Sequence, residues 1–390
     1  MAAPRIVAVC NPNGKRWELY RRELLAYWRE RGVEPDVTAV PWADVIPRDG
    51  VLDDLPAFDS PAIVRLESPG KDDDVTRLLL EAGARDDPAE PRKVWRDLEI
   101  PKGLLVRPGL VYRGFHRVLR GLKASFAARP HLSPTACPLA VAEMFDKTAT
   151  CRKLAAAGVP VPEVWPDPWK LGDPIDLELF NPNGGGNFTR LLGASSVYVK
   201  LNAGSSATGI VNLRVNGHRL NGITTLADIN GQFFNTRRLR TINAFILERA
   251  CNFLLAEGAI VQRGIPMAQI DGQNFDLRVV CVNAKPVATV FRLSPHPMTN
   301  LHLGGRRGEW SHCRGTIPTR QWLDGLDAAS DAAACFDSTI AGVDLLFERG
   351  SYRPYILEVN AFGDFFPGWT DSNGRTIHSF EFEALERLHE

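Results

Sequence analysis

Apolar positions in the first 130 residues fall in short runs that alternate with stretches of helical periodicity. Short β-branched runs predict strands, and longer stretches with apolar residues three and four apart predict helices. The predicted strands cover 5–9, 37–40 and 62–66, and the predicted helices cover 17–31 and 72–84. This alternation is typical of a small parallel α/β domain. The sequence has neither GxGxxG after the first strand nor GxxxxGK[ST], which argues against dinucleotide-binding and P-loop domains.

The middle of the chain has a less regular pattern. Residues 85–135 are rich in proline, arginine and aspartate, and we interpret most of them as a connection with one helix near 114–128. One or two helices follow over 140–157, and strands at 195–200 and 210–214 flank a Gly/Ser-rich loop. Residues 215–258 predict a turn and then helices, because apolar residues recur at helical spacing from Arg237 to Leu255. The loop Asn181–Asn187, NPNGGGN, has the composition of a flexible segment.

Two hairpins and two helices are predicted in the last third of the chain. A strand at 259–262 precedes a hairpin of 275–282 and 285–293 about Asn283-Ala284. The predicted helices cover 321–341 and 379–390. Between them, the stretch Gly342–Gly368 predicts a second hairpin of 343–347 and 355–359, because two short β-branched and aromatic runs enclose a polar turn.

Three oxygen-bearing side chains lie in this second hairpin. Asp344 is inside its first apolar run, and Glu358 and Asn360 end the second, two residues apart and therefore on one face. A carboxylate is costly to bury unless it is paired or binds a metal. Two carboxylates and an amide suit Mg²⁺ that is held partly by nucleotide phosphates. The alternative that this stretch leaves open is a hairpin with solvated acids on its outer face.

Composition narrows the class of protein. A chain of 390 residues predicts two or three domains, and 44% hydrophobic with 24% charged residues is ordinary for a globular protein. Zero formal net charge gives no reason to expect nucleic acid or an anionic membrane as a partner. No apolar run approaches the ~20 residues that span a bilayer. Seven scattered cysteines without a CxxC pair, and no signal peptide, predict a reduced, cytosolic protein.

Other polar residues leave two interpretations open. Arg65, Glu67 and Ser68 follow the third strand and either contact a substrate or form a polar loop. Arg107 and Arg113 either bind an anionic group or form a solvated face. A zinc site can be drawn from a set of residues close in sequence, but their spacing fits no standard finger and a scattered loop set is expected: His296, His302, His312 and Cys313.

The loop after the strand 195–200 can bring backbone N–H groups close to phosphate oxygens, with Lys200 adding a cation. An ordinary Gly/Ser turn is the alternative. Lys147 lies near a helix start, where a lysine is by default solvated.

Taken in order, seven segments resemble the ATP-grasp superfamily of ligases. They are FDK at 145–147 with GVPVP at 158–162, VYVK at 197–200 with AGSSATG, VQRGIP at 261–266, FDLRVVCVNAKPVATVFRLS at 275–294, TNLHLGG at 299–305, GVDLLF at 342–347 and LEVN at 357–360. The chain is most similar to bacterial ATP-grasp proteins of unassigned substrate, and more distantly to glutathione-synthetase-like and RimK-like carboxylate–amine ligases.

This resemblance implies a fold and its division. The fold class is α/β with α+β lobes: an N-terminal parallel α/β domain followed by the two-lobed ATP-grasp fold. The implied domains are a substrate-side domain over 1–130, a central lobe with a Gly-rich lid loop over 131–262, and a C-terminal lobe with the metal site over 263–390.

The resemblance also implies roles for individual residues. ATP phosphates are assigned to Lys147 and Lys200 and to a lid loop that includes Gly204, Ser205, Ser206 and Gly209. The hinge that reads the adenine edge is assigned to Gln262, Arg263, Gly264 and Ile265, although this hinge usually begins with an acid. The magnesium ligands are Asp344, Glu358 and Asn360. The residues near the transferred phosphate or acyl group are Arg278, Arg292, Asn300, Gly304 and Gly305.

The implied activity is an ATP- and Mg²⁺-dependent carboxylate–amine or carboxylate–thiol ligase that works through an acylphosphate and releases ADP and phosphate. One or two ions are expected, with Mn²⁺ as an alternative. The expected partners are small acids and amines or a peptide, and relatives are commonly homodimers. The rival hypotheses are a kinase built on the same lobes, a RimK-like modifier of peptides or proteins, and a nucleotide-binding module without turnover.

Overall fold

The computed structural model describes residues 4–70, 72–85, 87, 95–164, 196–204, 207–216, 219–364 and 366–389. The loop Asn181–Asn187 and the predicted lid serines Ser205 and Ser206 lie outside the described residues. Three sheets organise the described part of the chain. In the described part of the chain, no helix combines the length and the apolar character that crossing a membrane requires.

The first sheet is parallel, in the order β2-β1-β3-β4. Its strands are β1 Arg5–Cys10, β2 Asp36–Pro41, β3 Ala62–Leu66 and β4 Leu132–Pro134. Its helices are α1 Lys15–Arg29, α2 Trp42–Val45, α3 Asp73–Ala84 and α4 Pro108–Ala127. The predicted parallel domain is confirmed. Strand β4 was missed, because it has three residues, one apolar, and depends on its pairing with β3.

The second sheet is antiparallel, in the order β8-β7-β6-β5-β9. Its strands are β5 Ser196–Leu201, β6 Ile210–Asn216, β7 Arg219–Ile229, β8 Gln232–Ile242 and β9 Ala259–Arg263. Helices α5 Pro138–Phe145 and α6 Lys147–Ala156 precede this sheet, and α7 Ala244–Ala256 packs on it.

The predicted helices over 215–258 are wrong for most of that span. Strands β7 and β8 form a hairpin of two 11-residue strands, and α7 begins only after Asn243, whose side chain accepts a hydrogen bond from the N–H of Ile246. The turn residues Asn230 and Gly231 both have positive φ. An Asn-Gly pair favours a tight hairpin turn because both residues tolerate that backbone region. This signal outweighs the apolar spacing from Arg237 onward.

The third sheet has the order β13-β12-β11-β14-β15, with β10 added to β11. Its strands are β10 Gln269–Ile270, β11 Gln273–Val282, β12 Lys285–Ser294, β13 Arg306–Arg307, β14 Ile340–Phe347 and β15 Pro354–Asn360. Its helices are α8 Trp310–Gly315, α9 Thr319–Ala334 and α10 Ile377–His389.

Both predicted hairpins of this region are present, as β11–β12 and β14–β15. The predicted helix over 321–341 ends at Ala334, and the chain is already extended from Ile340. The reason is that Ile340–Gly342 pair with β11 and complete the first strand of the second hairpin.

Two of the apolar clusters in the described structure show how the sheets are held together. The second sheet and α7 have a core of their own, with Val199, Leu213 and Leu254 at its centre. One larger core runs from the first sheet through α5 and α6 into the third sheet. The antiparallel second sheet is therefore the separate element, and the other two sheets form a continuous base beneath the site. The domain boundaries near 130 and 262 stay a prediction.

Candidate active site

The hairpin β14–β15 brings the three predicted metal ligands together. Asp344 pairs with Glu358 in the strand register, and Gly342 pairs with Asn360. The amide nitrogen of Asn360 donates to the carbonyl of Gly342 at 3.2 Å and to the Glu358 carboxylate at 3.4 Å. Asp344 is buried, whereas the Glu358 side chain is 28% exposed. The set therefore offers one fixed carboxylate and one that faces open space.

These donors suit a hard cation that has further oxygen ligands. Within the described ranges, no three His, Cys, Asp or Glu side chains gather as a metal site. A cation at this hairpin would need the amide oxygen of Asn360 and ligand oxygens besides the two carboxylates, as Mg²⁺ with a nucleotide does. The histidine and cysteine set considered for zinc forms no such cluster among the described residues either.

Two arginines of the neighbouring strands fix Asp344. The Nε of Arg278 donates to Asp344 at 2.5 Å, and an amino group of Arg292 lies 3.2 Å from its other oxygen. Arg278 also pairs with Asp364 at 2.7 Å, and Arg292 makes two hydrogen bonds to Asp276, at 2.8 and 2.5 Å. Burial would raise the pKa of Asp344, but the two guanidinium groups outweigh it and hold that pKa below its usual range. Asp344 is thus an ionised acceptor.

Two lysines face this acidic hairpin from the other elements. Lys147 is the first residue of α6, and its Nζ lies 3.6 Å from Glu358 and donates to the carbonyl of Gly204. Lys200 on β5 donates to the side chain of Gln262 at 2.9 Å. Burial lowers the pKa of Lys200, while Glu358 acts in the opposite direction. Two cations and two carboxylates therefore border one space.

The first turn of helix α6 is held by an N-cap and by hydrogen bonds to the loop after β5. The Asp146 side chain accepts from the N–H of Ala149 at 2.8 Å and forms the N-cap. The N–H of Lys147 donates to the carbonyl of Asn202 at 3.1 Å, and the Asn202 side chain accepts from Thr148. The helix start is thereby joined to the loop that follows β5.

Three residues of the predicted hinge, Gln262 to Gly264, form hydrogen bonds within the protein. The Gln262 side chain accepts from Lys200 and donates to the sulfur of Cys151 at 3.2 Å, so it faces the lysine. The N–H of Arg263 donates to the Glu163 carbonyl at 2.9 Å, and that of Gly264 donates to the Ser196 carbonyl at 2.8 Å. These two N–H groups are engaged within the protein. The assignment of the hinge to the adenine edge stays a prediction.

A cavity lies between the second and third sheets, and we call it the inner cavity. Its apolar lining includes Pro162, Ile210, Ile265, Met267, Met298, Leu346 and Leu357 together with the ring of Tyr198. Its charged end includes Lys147, Lys200, Arg292, Asp276, Asp344 and Glu358. One end thus suits a flat apolar ring and the other suits a polyanion with a cation.

A second cavity, the interdomain cavity, opens between the first and third sheets. From the first domain it is lined by Arg16, Ser68 and Gly70, from the third sheet by Arg278 and Asn360, and from the loop after β15 by Asp364. It shares five lining residues with the inner cavity: Lys147, Gly204, Arg292, Asn300 and Glu358. The two cavities therefore meet at the charged cluster.

Most residues predicted for the site line one of these cavities. Arg263 and Ile265 line the inner one, and Ser68 the interdomain one. Neither lining, as the described residues form it, includes Gly209, Gly264, Gly304 or Gly305. A Cβ on Gly305 would lie 2.3 Å from the carbonyl of Thr299, so this glycine allows the tight turn after Asn300.

Four predicted substrate contacts lie elsewhere. Arg65 and Glu67 are buried and pair with each other at 2.6 Å. Arg107 pairs with Glu257 at 3.1 Å and Arg113 with Asp87 at 3.0 Å. None of these four belongs to the lining of either cavity in the described structure.

Three further residues of the site were not predicted from the sequence. Asp276 shares a strand face with Arg278, a spacing that is visible in the sequence. Asp364 lies four residues after Asn360, within the stretch of the predicted metal ligands, and pairs with Arg278. Arg16 carries no local signal, because it reaches the site from α1, far away in the sequence.

Comparison with known proteins agrees with this architecture. Residues 188–361 match the model of the YheC/D-like ATP-grasp family. No curated protein matches the sequence. Solved structures that match include D-cycloserine synthetase DcsG, with 14% identity and a TM-score of 0.53 over 98% of this chain and 99% of that one. D-alanine–D-alanine ligase from Bacillus anthracis, complexed with ATP, has 11% identity and a TM-score of 0.52 over 100% and 98%.

A third structure is the ATP-grasp ligase PsnB complexed with minimal precursor, Mg and ADP. It has 17% identity and a TM-score of 0.50 over 99% of this chain and 97% of that one. At such identities the likeness establishes the fold. The chain therefore has the ATP-grasp fold, and its residues 188–361 match the YheC/D-like ATP-grasp family model.

Proposed function

We propose that this protein is an ATP- and Mg²⁺-dependent ligase that joins a carboxylate to an amine through an acylphosphate. One observation carries the proposal: two lysines and two carboxylates line the inner cavity, and two of these four, Lys147 and Glu358, also line the interdomain cavity. An adenine ring would lie against the apolar lining of the inner cavity. The phosphates would extend to Lys147 and Lys200, and the acid and amine would enter from the interdomain cavity.

The reaction is balanced with these two substrates and ATP. An oxygen of the substrate carboxylate attacks the γ-phosphorus of ATP, the bond to the β,γ-bridging oxygen breaks, and ADP leaves. The amine then attacks the acyl carbon, loses a proton, and phosphate leaves. Phosphoryl transfer depends mainly on positioning and charge neutralisation. The cluster consists of groups suited to that task.

Each group has a task in this scheme. Lys147 and Lys200 balance phosphate charge at the end of the inner cavity. Asp344, Glu358 and Asn360 would hold Mg²⁺, which when bound adds further positive charge beside the phosphates. Arg292 lines both cavities and Arg278 lines the interdomain one, and each is paired with an aspartate. Their fixed orientation means that little reorganisation is needed when charge moves during the reaction.

A peptide substrate is the second candidate, because the similar ligase PsnB was solved with a minimal precursor. A cytoplasmic location, a homodimer and the participation of small acids and amines stay expectations from the sequence.

The decisive assay measures ADP and phosphate release from Mg·ATP, with and without pools of amino acids and small acids. We expect stimulated, equimolar release of both products. Glu358→Gln removes one metal-binding charge from a partly exposed site and should lower turnover about 100-fold or more without unfolding the protein. Glu18→Gln, an exposed change on α1, serves as the control.

The alternatives predict different results in the same assay. ADP without free phosphate would identify a kinase. Mg²⁺-dependent ATP binding without stimulation by small molecules would favour the peptide candidate. Near-wild-type turnover of Glu358→Gln would contradict the metal assignment.

A further inference from the structure

A chain of ion pairs leads from the C-terminal helix to the interdomain cavity. Glu381 on α10 pairs with Arg65 on β3. Arg65 donates to Glu67 at 2.6 Å, and the other oxygen of Glu67 accepts from the Nε of Arg16 on α1 at 2.8 Å. The charges alternate along the chain and sum to zero. The fourth member, Arg16, is the one that lines the cavity.

Burial separates Arg16 from the other three members. The side chains of Arg65, Glu67 and Glu381 are 2%, 3% and 0% exposed, whereas that of Arg16 is 27% exposed. The three inner residues carry a net charge of −1, which Arg16 neutralises. Because Arg16 is partly exposed, it also places a guanidinium at the cavity wall, and Glu67 fixes its direction.

The carboxylate that holds Arg16 stays ionised over a wide pH range. Burial would raise the pKa of Glu67, but Arg65 and Arg16 outweigh this and lower the pKa from 4.5 to about 2. A guanidinium has five N–H donors in a fixed plane, and Glu67 accepts from the Nε. A guanidinium fixed in this way is suited to a planar or tetrahedral anion, because its donors match carboxylate and phosphate oxygens.

The wall opposite the first domain carries both signs of charge. Glu358 pairs there with Lys147 at 3.6 Å, and Asp364, in the loop after β15, pairs with Arg278 at 2.7 Å. On the wall of the first domain, Arg16 is the charged residue of the described lining. The hydroxyl-bearing loop residue Ser68 lies on that wall as well.

We infer that Arg16 binds an anionic group, a carboxylate or a phosphate, that belongs to the substrate of the interdomain cavity, and that Glu67 positions it. This inference rests on the proposed function in assigning that cavity to a substrate. Arg16, and not Arg65 or Glu67, then contacts the substrate. Arg65 and Glu67 affect the substrate through the position of Arg16.

The test measures binding of two simple probes, succinate and methylphosphonate, by calorimetric titration of the full chain. We expect one of them to bind the wild type, and Arg16→Ala to weaken that binding about 10- to 100-fold, since charge-assisted hydrogen bonds are lost. Arg16→Lys should recover part of the affinity. Arg22→Ala, an exposed change on the same helix, should leave it unaltered.

Each outcome has a separate meaning. The probe that binds identifies the anion as carboxylate or phosphate. Equal binding by wild type and Arg16→Ala, or no binding of either probe by the wild type, would overturn the inference. If Arg16→Ala and the Arg22→Ala control unfold at the same temperature, misfolding is excluded as the cause of weaker probe binding by Arg16→Ala. Titration with Mg·ATP tests the proposed function separately, and Arg16→Ala should bind it as the wild type does.

Discussion

At the scale of single residues, Lys200 has the most informative environment. The residue is partly exposed, yet its ammonium group contacts the side chain of Gln262 and lies above the ring of Tyr198. Burial lowers its pKa, so the protonated form is less stable than in water and gains when an anion arrives. The Lys200 ammonium group is therefore poised for a phosphate.

We predict that Lys200→Met raises the ATP concentration needed for half-maximal turnover about 10-fold or more. Methionine keeps the length of the side chain but removes the charge that meets phosphate. Lys285→Met, an exposed change on β12, is the matched control. Because the pKa of Lys200 is lowered, this lysine loses its charge at a lower pH than an ordinary lysine. The ATP affinity of the wild type should therefore begin to fall at a correspondingly lower alkaline pH. Unchanged ATP affinity of Lys200→Met would contradict the assignment.

At the scale of elements, the start of α6 sets the position of Lys147. The Asp146 cap and the hydrogen bond from Lys147 to Asn202 fix its first turn to the loop after β5. A shift of this turn would move the lysine away from Glu358, which it now approaches to 3.6 Å.

We predict that Asp146→Ala lowers the free energy of unfolding by about 1 kcal/mol, the usual cost of losing an N-cap, and weakens ATP binding in parallel. Asp146→Asn retains an oxygen that can accept from the N–H of Ala149 and should behave almost like the wild type. Urea unfolding and ATP titration check the two effects. If Asp146→Ala weakened ATP binding but Asp146→Asn did so equally, the charge of Asp146 and not its capping would matter.

Elements and site residues could be predicted from the sequence where the signal lies in neighbouring residues, and could not where it depends on residues far apart in the chain. The hairpin β14–β15 and its acids were predictable, because Asp344 and Glu358 interrupt apolar strands and pair in the expected register. The β7–β8 hairpin was missed although Asn230-Gly231 signalled its turn, because apolar spacing was given more weight. Arg16 could not be predicted, since its partner Glu67 lies 51 positions away and only the parallel sheet brings them together.

At the scale of the molecule, the C-terminal helix α10 packs against both the first domain and the third sheet. Phe382 and Leu385 are almost fully buried against Ile6, Tyr20 and Trp28. The chain therefore returns to its beginning, and the third sheet is held to the first domain across the interdomain cavity. The ion pairs Glu381–Arg65–Glu67–Arg16 lie along this junction and join its two sides electrostatically.

The stability of this junction should depend on acid pH through Glu67. Its pKa is lowered from 4.5 to about 2 in the folded protein, so its ionisation stabilises the fold above pH 4.5, and this contribution is lost as the pH falls towards 2. A shift of this size corresponds to about 3 kcal/mol. Glu67→Gln should cost about 3 kcal/mol near neutral pH, because the buried Arg65 loses one of its two carboxylate partners and Arg16 loses the carboxylate that holds it.

The difference between wild type and Glu67→Gln should therefore shrink between pH 4.5 and 2, where the wild-type carboxylate also becomes neutral. Asp344, whose pKa is lowered too, titrates in both proteins and cancels in the comparison. Urea unfolding at a series of pH values measures this difference, with Glu18→Gln as an exposed control on α1. A difference that stayed constant down to pH 2 would mean that the charge of Glu67 does not hold the two ends of the chain together.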